Sequence, residues 1–263
     1  MRSYLFVPGN RSERFAKALA AGADVVIIDL EDAVAQTDKS SAREHVAEAV
    51  NAGAQVCVRI NAYGTPWFEQ DLALLASINV LSVMLPKAES VEPLHALRAV
   101  TQVPVIALVE TALGVHQALE VARGPGVERI AFGSVDYQLD ISSDGSDEAL
   151  LYARSQIVVA SRVAGIEGPI DGVSVALDDE QALSRESCRS RALGFAGKLC
   201  IHPRQVAVVN RCFSPSEREL AWAHEVVQAF EQSGNGAVSV RGEMVDLPVL
   251  LKAKKIIALL STV

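Results

Sequence analysis

The sequence predicts a TIM-type (β/α)8 barrel with a C-terminal extension and helix, and three observations carry that prediction. Eight short runs are continuously apolar, as strands of a parallel sheet buried on both faces must be. Each run is followed by a stretch with helical apolar spacing, the alternation that builds successive parallel βα units. Nearly every run also stops at a charged or polar residue, and the carboxyl ends of barrel strands are where this fold places its chemistry. At 263 residues the chain has the length of one such barrel.

The first run, SYLFV (3–7), leads through Gly9-Asn10 to an amphipathic stretch around Phe15, Leu19 and Ala20. DVVIIDL (24–30) precedes a helical pattern through Ala42, Val46 and Val50, and QVCVRI (55–60) precedes one near Leu72, Leu75 and Ala76. VLSVML (80–85) is followed by Val91, Leu94 and Leu97, and PVIALV (104–109) by Val115, Ala118, Leu119 and Ala122. RIAF (129–132) opens an acidic excursion that gives way to a helix over 149–164. PIDGVSV (169–175) with a helix over 187–193, then GKLCI (197–201) with a helix from Pro203, complete the set. Chirality makes the crossovers right-handed. The Gly-rich stretch 233–248 breaks the repeat and ends in an apolar helix. It reads as a cap over the barrel or as an arm reaching a neighbouring subunit. The expected division is therefore a catalytic barrel over 1–232 and an extension with a docking helix over 233–263.

With 50% hydrophobic and 21% charged residues, the chain has material for a large core and argues against disorder. A net charge of −8 without a basic stripe disfavours nucleic acid. Lys252, Lys254 and Lys255 interrupt the last apolar segment, so it is not a membrane span. Cys57, Cys188, Cys200 and Cys212 show no zinc spacing and read as free thiols of a reducing, cytoplasmic protein.

The polar strand ends carry the functional expectations. Asp29, Glu31 and Asp32 follow the second run, Arg59 and Asn61 the third, Lys87 the fourth, Glu110 the fifth and Asp136 the sixth. Asp171 lies in the seventh run and His202 follows the eighth. Glu110 and Asp136, one βα unit apart, offer oxygen ligands on rigid supports, which suits Mg²⁺ or Mn²⁺; the competing role is capping of the next helix. Arg59 suits a bidentate pair with a substrate carboxylate. Its competing role is an internal ion pair with Asp29, Glu31 or Asp32, and both hold if those acids orient it. Lys87 fits either neutralising a local acid or facing the substrate. His45, His95, His116 and His224 lack zinc spacing, while His202 either serves the active rim or braces its loop. Dinucleotide, P-loop and serine-elbow motifs do not occur. The residues alone point to a metal-assisted enzyme that generates a carbanion or enolate from a carboxylic acid.

Taken together, RSYLFVPGN (2–10), DLEDAV (29–34), RIN (59–61), LPKAES (85–90), VETALGV (109–115), FGSVDYQLD (132–140) and GKLCIHPRQV (197–206) resemble the citrate lyase β-subunit-like branch of the HpcH/HpaI aldolase family. YARSQIVVASRVAG (152–165), PIDGV (169–173) and GEMVDLP (242–248) extend the match over essentially the whole chain. The resemblance implies a TIM barrel, a homotrimer or dimer of trimers, and lyase activity on malyl-CoA, citramalyl-CoA or citryl thioesters. It implies Mg²⁺ on Glu110 and Asp136, and Arg59 as the substrate-carboxylate and oxyanion contact. It also implies a proton-transferring Asp246 supplied by the extension of an adjacent subunit, and thioester or CoA contacts at Phe6, Lys17, Ile201 and His202. Glu13 departs from the pattern, standing where some members carry a second basic residue. The chemistry so implied is retro-Claisen cleavage of a 3-hydroxyacyl thioester into a 2-oxo acid and a thioester enolate, with small-molecule acyl-CoA or oxo-acid partners. Alternatives are the β subunit of a citrate lyase complex using an acyl-carrier-protein thioester, a malyl-CoA thioesterase, and a non-catalytic metabolite-binding barrel. GEMVDLP favours the stand-alone lyase.

Overall fold

The computed structural model describes residues 1–232 and 237–259. Eight parallel strands close into a barrel: β1 (Ser3–Pro8), β2 (Val25–Asp29), β3 (Cys57–Arg59), β4 (Ser82–Leu85), β5 (Val105–Val109), β6 (Val127–Phe132), β7 (Ile170–Asp171) and β8 (Gly197–Cys200). β1 pairs with both β2 and β8, which removes every open edge. The helices between and after the strands are α1 (Phe15–Leu19), α2 (Lys39–Asn51), α3 (Phe68–Leu75), α4 (Glu92–Val100) and α5 (Ala112–His116). They continue with α6 (Ala118–Ala122), α7 (Ser134–Asp140), α8 (Asp147–Ala164), α9 (Glu180–Leu193) and α10 (Pro203–Phe213).

The apolar runs are strands because both of their faces are dry. Alternate residues such as Val25 and Ile27, or Ile106 and Leu108, point inward and pack with Tyr4, Cys57, Met84, Ala131, Ile170 and Leu199. Their neighbours Val26, Ile28, Ala107 and Val109 are equally buried on the opposite side of the sheet. Cys57 is part of that inner packing, and burial pushes its thiol up to about 12, the behaviour of a small core residue rather than a nucleophile.

Three local features differ from the sequence expectation. The helix after β5 breaks at Gln117 into α5 and α6. The acidic excursion after β6 begins with α7, whose Val135 and Leu139 are exposed while Tyr137 is buried, so it has no apolar stripe to read. β7 is only two residues long, and just past its end the Gly172 carbonyl accepts from the buried Lys198 ammonium at 2.7 Å.

Residues Arg2–Asn210 form one compact unit, and the described residues from Arg211 on form another. That division lies upstream of the 232/233 boundary read from the sequence, for a packing reason. Helix α11 (Glu217–Gln232) buries Ala223, Val226 and Phe230 against Leu250, Ala253 and Ile256 of α12 (Leu247–Ala258). Val240 of β9 (Val238–Val240) and Val245 of β10 (Glu243–Val245) complete this cluster. The two strands form a hairpin whose turn residues, Arg241 and Gly242, both have positive φ (53° and 83°), as a two-residue turn with the strands' own twist requires. Within the expected 233–263 extension, residues 233–236 and 260–263 lie outside the described residues. Among the described residues no helix is long and apolar enough to cross a membrane.

Candidate active site

β5 and β6 pair in register through Val109 and Phe132, so Glu110 and Gly133 emerge side by side at the carboxyl end of the barrel. The Gly133 amide donates to Val109 O at 2.9 Å, holding the two chain exits together. A Cβ at residue 133 would stand 2.6 Å from Glu110 Oε2 and closer still to Glu110 Cβ, so only glycine lets that carboxylate lie across the neighbouring strand end. Three residues on, Asp136 occupies the exposed first turn of α7. Glu110 and Asp136 line one cleft of about 280 Å³ together with Arg59, Phe6 and Ile201.

Arg59 is placed by the β2–β3 register, which sets Asp29 directly beside it. Its Nε and Nη2 donate to the two Asp29 carboxylate oxygens at 2.7 Å each. Its Nη1 stands 3.0 Å from Glu31 Oε2, without the alignment of a hydrogen bond, and 3.8 Å from Asp32. The Phe6 ring lies 4.9 Å from the guanidinium carbon. Asp29 in turn accepts from the Glu31 and Ala33 amides. Lys39, almost fully buried, donates to Leu30 O and Glu31 O at 2.6 and 2.7 Å and sits over the Trp67 ring. The internal ion pair weighed for Arg59 is thus made. The acids orient the guanidinium, and its uncommitted N–H groups remain in the cleft.

Glu110 is held differently. Its Oε1 accepts from the Lys87 amide at 2.8 Å, and Lys87 itself has φ 48°. A left-handed backbone costs a residue with a side chain roughly 1–2 kcal/mol, so this turn is maintained against its own preference. Burial pushes the Glu110 carboxyl up to about 8, with Glu31 and Asp136 adding to the effect. Burial likewise brings Glu31 to about 7, the attraction of Arg59 being outweighed. Carboxyl groups here outnumber the buried Arg59 and Lys39 cations, a balance that leaves room for a further positive charge. Among the described residues, no three His, Cys, Asp or Glu side chains converge as a closed cage. A divalent ion on Glu110 and Asp136 would therefore draw its other ligands from water and substrate, as Mg²⁺ does. The donor set fits that ion.

The other expected positions scatter. Ile201 is exposed at the cleft wall, whereas Lys17 is exposed on α1 and Glu13 nearby pairs with Arg11 at 2.6 Å. His202 Nδ1 accepts from the Arg204 amide at 3.2 Å, so the ring braces the start of α10. Asp246 belongs to the C-terminal unit and caps α12, accepting from the Val249 amide at 3.2 Å. Asp171, whose role the sequence leaves open, is a structural brace. It is fully buried, accepts hydrogen bonds from Arg154 and Ser190, and stands 3.7 Å from the Lys198 ammonium. Two further supports had no signal in the sequence: Lys39, and Asp71 on α3, which accepts from both the backbone and side-chain nitrogens of Asn61 at 2.7 Å. Gly133 did have one, a glycine between an apolar run and an acid.

The family model described as HpcH/HpaI aldolase/citrate lyase matches residues 2–203, and one described as a C–C bond lyase of the TIM-barrel fold matches residues 152–259. A citrate lyase subunit beta-like protein of Deinococcus radiodurans is 37% identical, over 98% of this chain and 96% of that protein. The human mitochondrial citramalyl-CoA lyase is 34% identical, over 100% of this chain and 86% of its own length. The crystal structure of CitE from Mycobacterium tuberculosis in complex with magnesium, acetoacetate and coenzyme A is similar at a TM-score of 0.87 and 37% identity, covering 99% of this chain and 98% of that one.

Proposed function

The chain belongs to the HpcH/HpaI aldolase/citrate lyase family of carbon–carbon lyases, and from that premise we propose a CoA-thioester lyase that depends on Mg²⁺, with Mn²⁺ as a substitute. Its substrate is a 3-hydroxy-dicarboxylic acyl-CoA of the malyl-CoA or citramalyl-CoA type. The products are a 2-oxo acid and acetyl-CoA or a related acyl-CoA. The observation that supports this most is the joint exposure of Glu110, Asp136 and Arg59 to one cleft at the carboxyl end of the barrel.

Glu110 and Asp136 hold the cation, which when bound lowers the pKa of the substrate hydroxyl. Arg59 aims N–H donors at the oxygen that gains charge as the carbon–carbon bond breaks, and the bidentate Asp29 pair keeps that donor from reorienting. Because the guanidinium is largely buried, each hydrogen bond it offers is strong. The Phe6 ring lies against the Arg59 guanidinium, and Ile201 gives the thioester arm an apolar rest at the rim. Lys17 and His202 are the further CoA contacts of this reading.

Asp246 exchanges a proton with the enolate carbon of a neighbouring subunit's substrate, in a homotrimer or dimer of trimers. Its cap on α12 uses only one carboxylate oxygen, Oδ1, which leaves the other for that exchange. Four cysteines with no disulfide among the described residues suit a cytoplasmic location. The test is a cleavage assay with malyl-, methylmalyl- and citramalyl-CoA, with and without Mg²⁺. Formation of a 2-oxo acid from at least one of them, only with the metal, is expected; metal-independent cleavage or none at all rejects the proposal.

A further inference from the structure

We propose that Lys87 serves this site through its backbone amide rather than its amine, as the positioning residue for Glu110. The inference rests on Glu110 being a metal ligand, and it starts from the β4–β5 ladder. β4 and β5 run in register through Leu85 and Ala107, and the Val83 amide donates to Pro104 O. Continued at the ladder's two-residue step, residue 87 would donate to Leu108 O. Ala88 does so instead, at 3.0 Å. One extra residue has been inserted at the end of β4, a bulge of the kind that re-aims a group beside an active site.

The insertion has a specific product. Pro86 has no N–H to offer, and the left-handed backbone at Lys87 turns the released amide onto Glu110 Oε1 at 2.8 Å. Among the described residues this is the one hydrogen bond given to the Glu110 carboxylate. Oε2 lies against the bare face of Gly133, where no side chain competes for it. One oxygen is thereby fixed by protein and the other left for a ligand, which sets the carboxylate's rotamer before any ligand arrives. The Lys87 side chain is exposed and makes no hydrogen bond or salt bridge among the described residues.

Substitution separates the amide from the amine. Lys87→Gly discards the amine but adopts positive φ freely, whereas Lys87→Val disfavours it. Titration calorimetry of the full chain with Mg²⁺ alone should find Lys87→Gly within about threefold of the parent and Lys87→Val weaker by about tenfold or more. The amide proton resonance of Lys87 should also shift upfield in Glu110→Gln, a change that a merely structural turn would not show. Equal loss in Lys87→Gly and Lys87→Val, no loss in either, or an amide resonance indifferent to Glu110→Gln overturns the inference. Should Lys87→Val not fold, the glycine variant and the amide resonance decide. A parent protein that binds no Mg²⁺ overturns both this inference and the metal reading; a binding parent with an unaffected Lys87→Val overturns this inference alone.

Discussion

Two polar clusters are buried in the same barrel with opposite charge balance. Around β7 and β8, the single Asp171 carboxylate is met by Arg154, Lys198 and the Ser190 hydroxyl. Around β2, β3 and β5, Asp29, Glu31 and Glu110 share one buried guanidinium, Arg59. Burial works to raise Asp171, Glu31 and Glu110 alike. At Asp171 the two cations and the hydrogen bonds more than reverse it and leave the carboxyl below the usual range, while Glu31 and Glu110 stay raised to about 7 and about 8. The first cluster is complete within the protein and acts as a brace. The second holds more carboxyl groups than the buried Arg59 and Lys39 cations, a balance that leaves room for an added positive charge.

The largest effect that would break this contrast is at Glu110. Glu110→Ala should lower Mg²⁺-dependent cleavage by about 10³-fold, several kcal/mol of transition-state stabilisation, while thermal melting of the barrel hardly changes because no ion pair is lost. Unchanged turnover removes the assignment. At the opposite cluster, Asp171→Asn leaves Lys198 and Arg154 without their buried countercharge, only the half-exposed Asp147 and Glu186 remaining nearby, and should cost about 3 kcal/mol in urea unfolding; a loss below about 1 kcal/mol would mean the brace is not electrostatic.

Asp246→Asn tests the C-terminal unit, with cleavage expected to fall about 100-fold and Mg²⁺ affinity much less affected. Equal loss of both would make it a ligand or a structural cap instead. The smallest effects are in pH dependence, where the clusters should have opposite signs. Asp171, depressed in the folded state, contributes stability above about pH 4 that is lost as pH falls through its folded value. Glu31, raised from 4.5 to about 7, makes stability decline as pH rises across that interval. Urea midpoints from pH 2 to 8 should therefore show a shallower acid-side slope in Asp171→Asn and, because Glu110 is raised as well, a reduced but not abolished neutral-side decline in Glu31→Gln. Slopes of the same sign would dissolve the comparison.

Much of the barrel could be read without coordinates because a parallel strand with two dry faces leaves an apolar run that few other environments produce. The strand ends were legible for the same reason: a run such as PVIALV cannot stop at Glu110 unless the chain has reached the rim. α7 escaped because its one buried apolar side chain, Tyr137, makes no periodic pattern, and the C-terminal unit because α11 joins α12 only in space. Arg59 was left between two partners until the β2–β3 register put Asp29 alongside it.

Periodicity by itself determined the fold class, the order of the units and the acids at the rim, since burial is written along the chain at the spacing of each element. Only the tertiary structure decided which of those acids are compensated. Asp171 and Glu110 look alike in sequence, each an acid following apolar strand residues, yet one meets an arginine from α8 and a lysine from β8 while the other meets a single backbone amide. Coulomb energy in a dry interior depends on distances of a few ångströms between groups remote in the chain, and no local pattern records them.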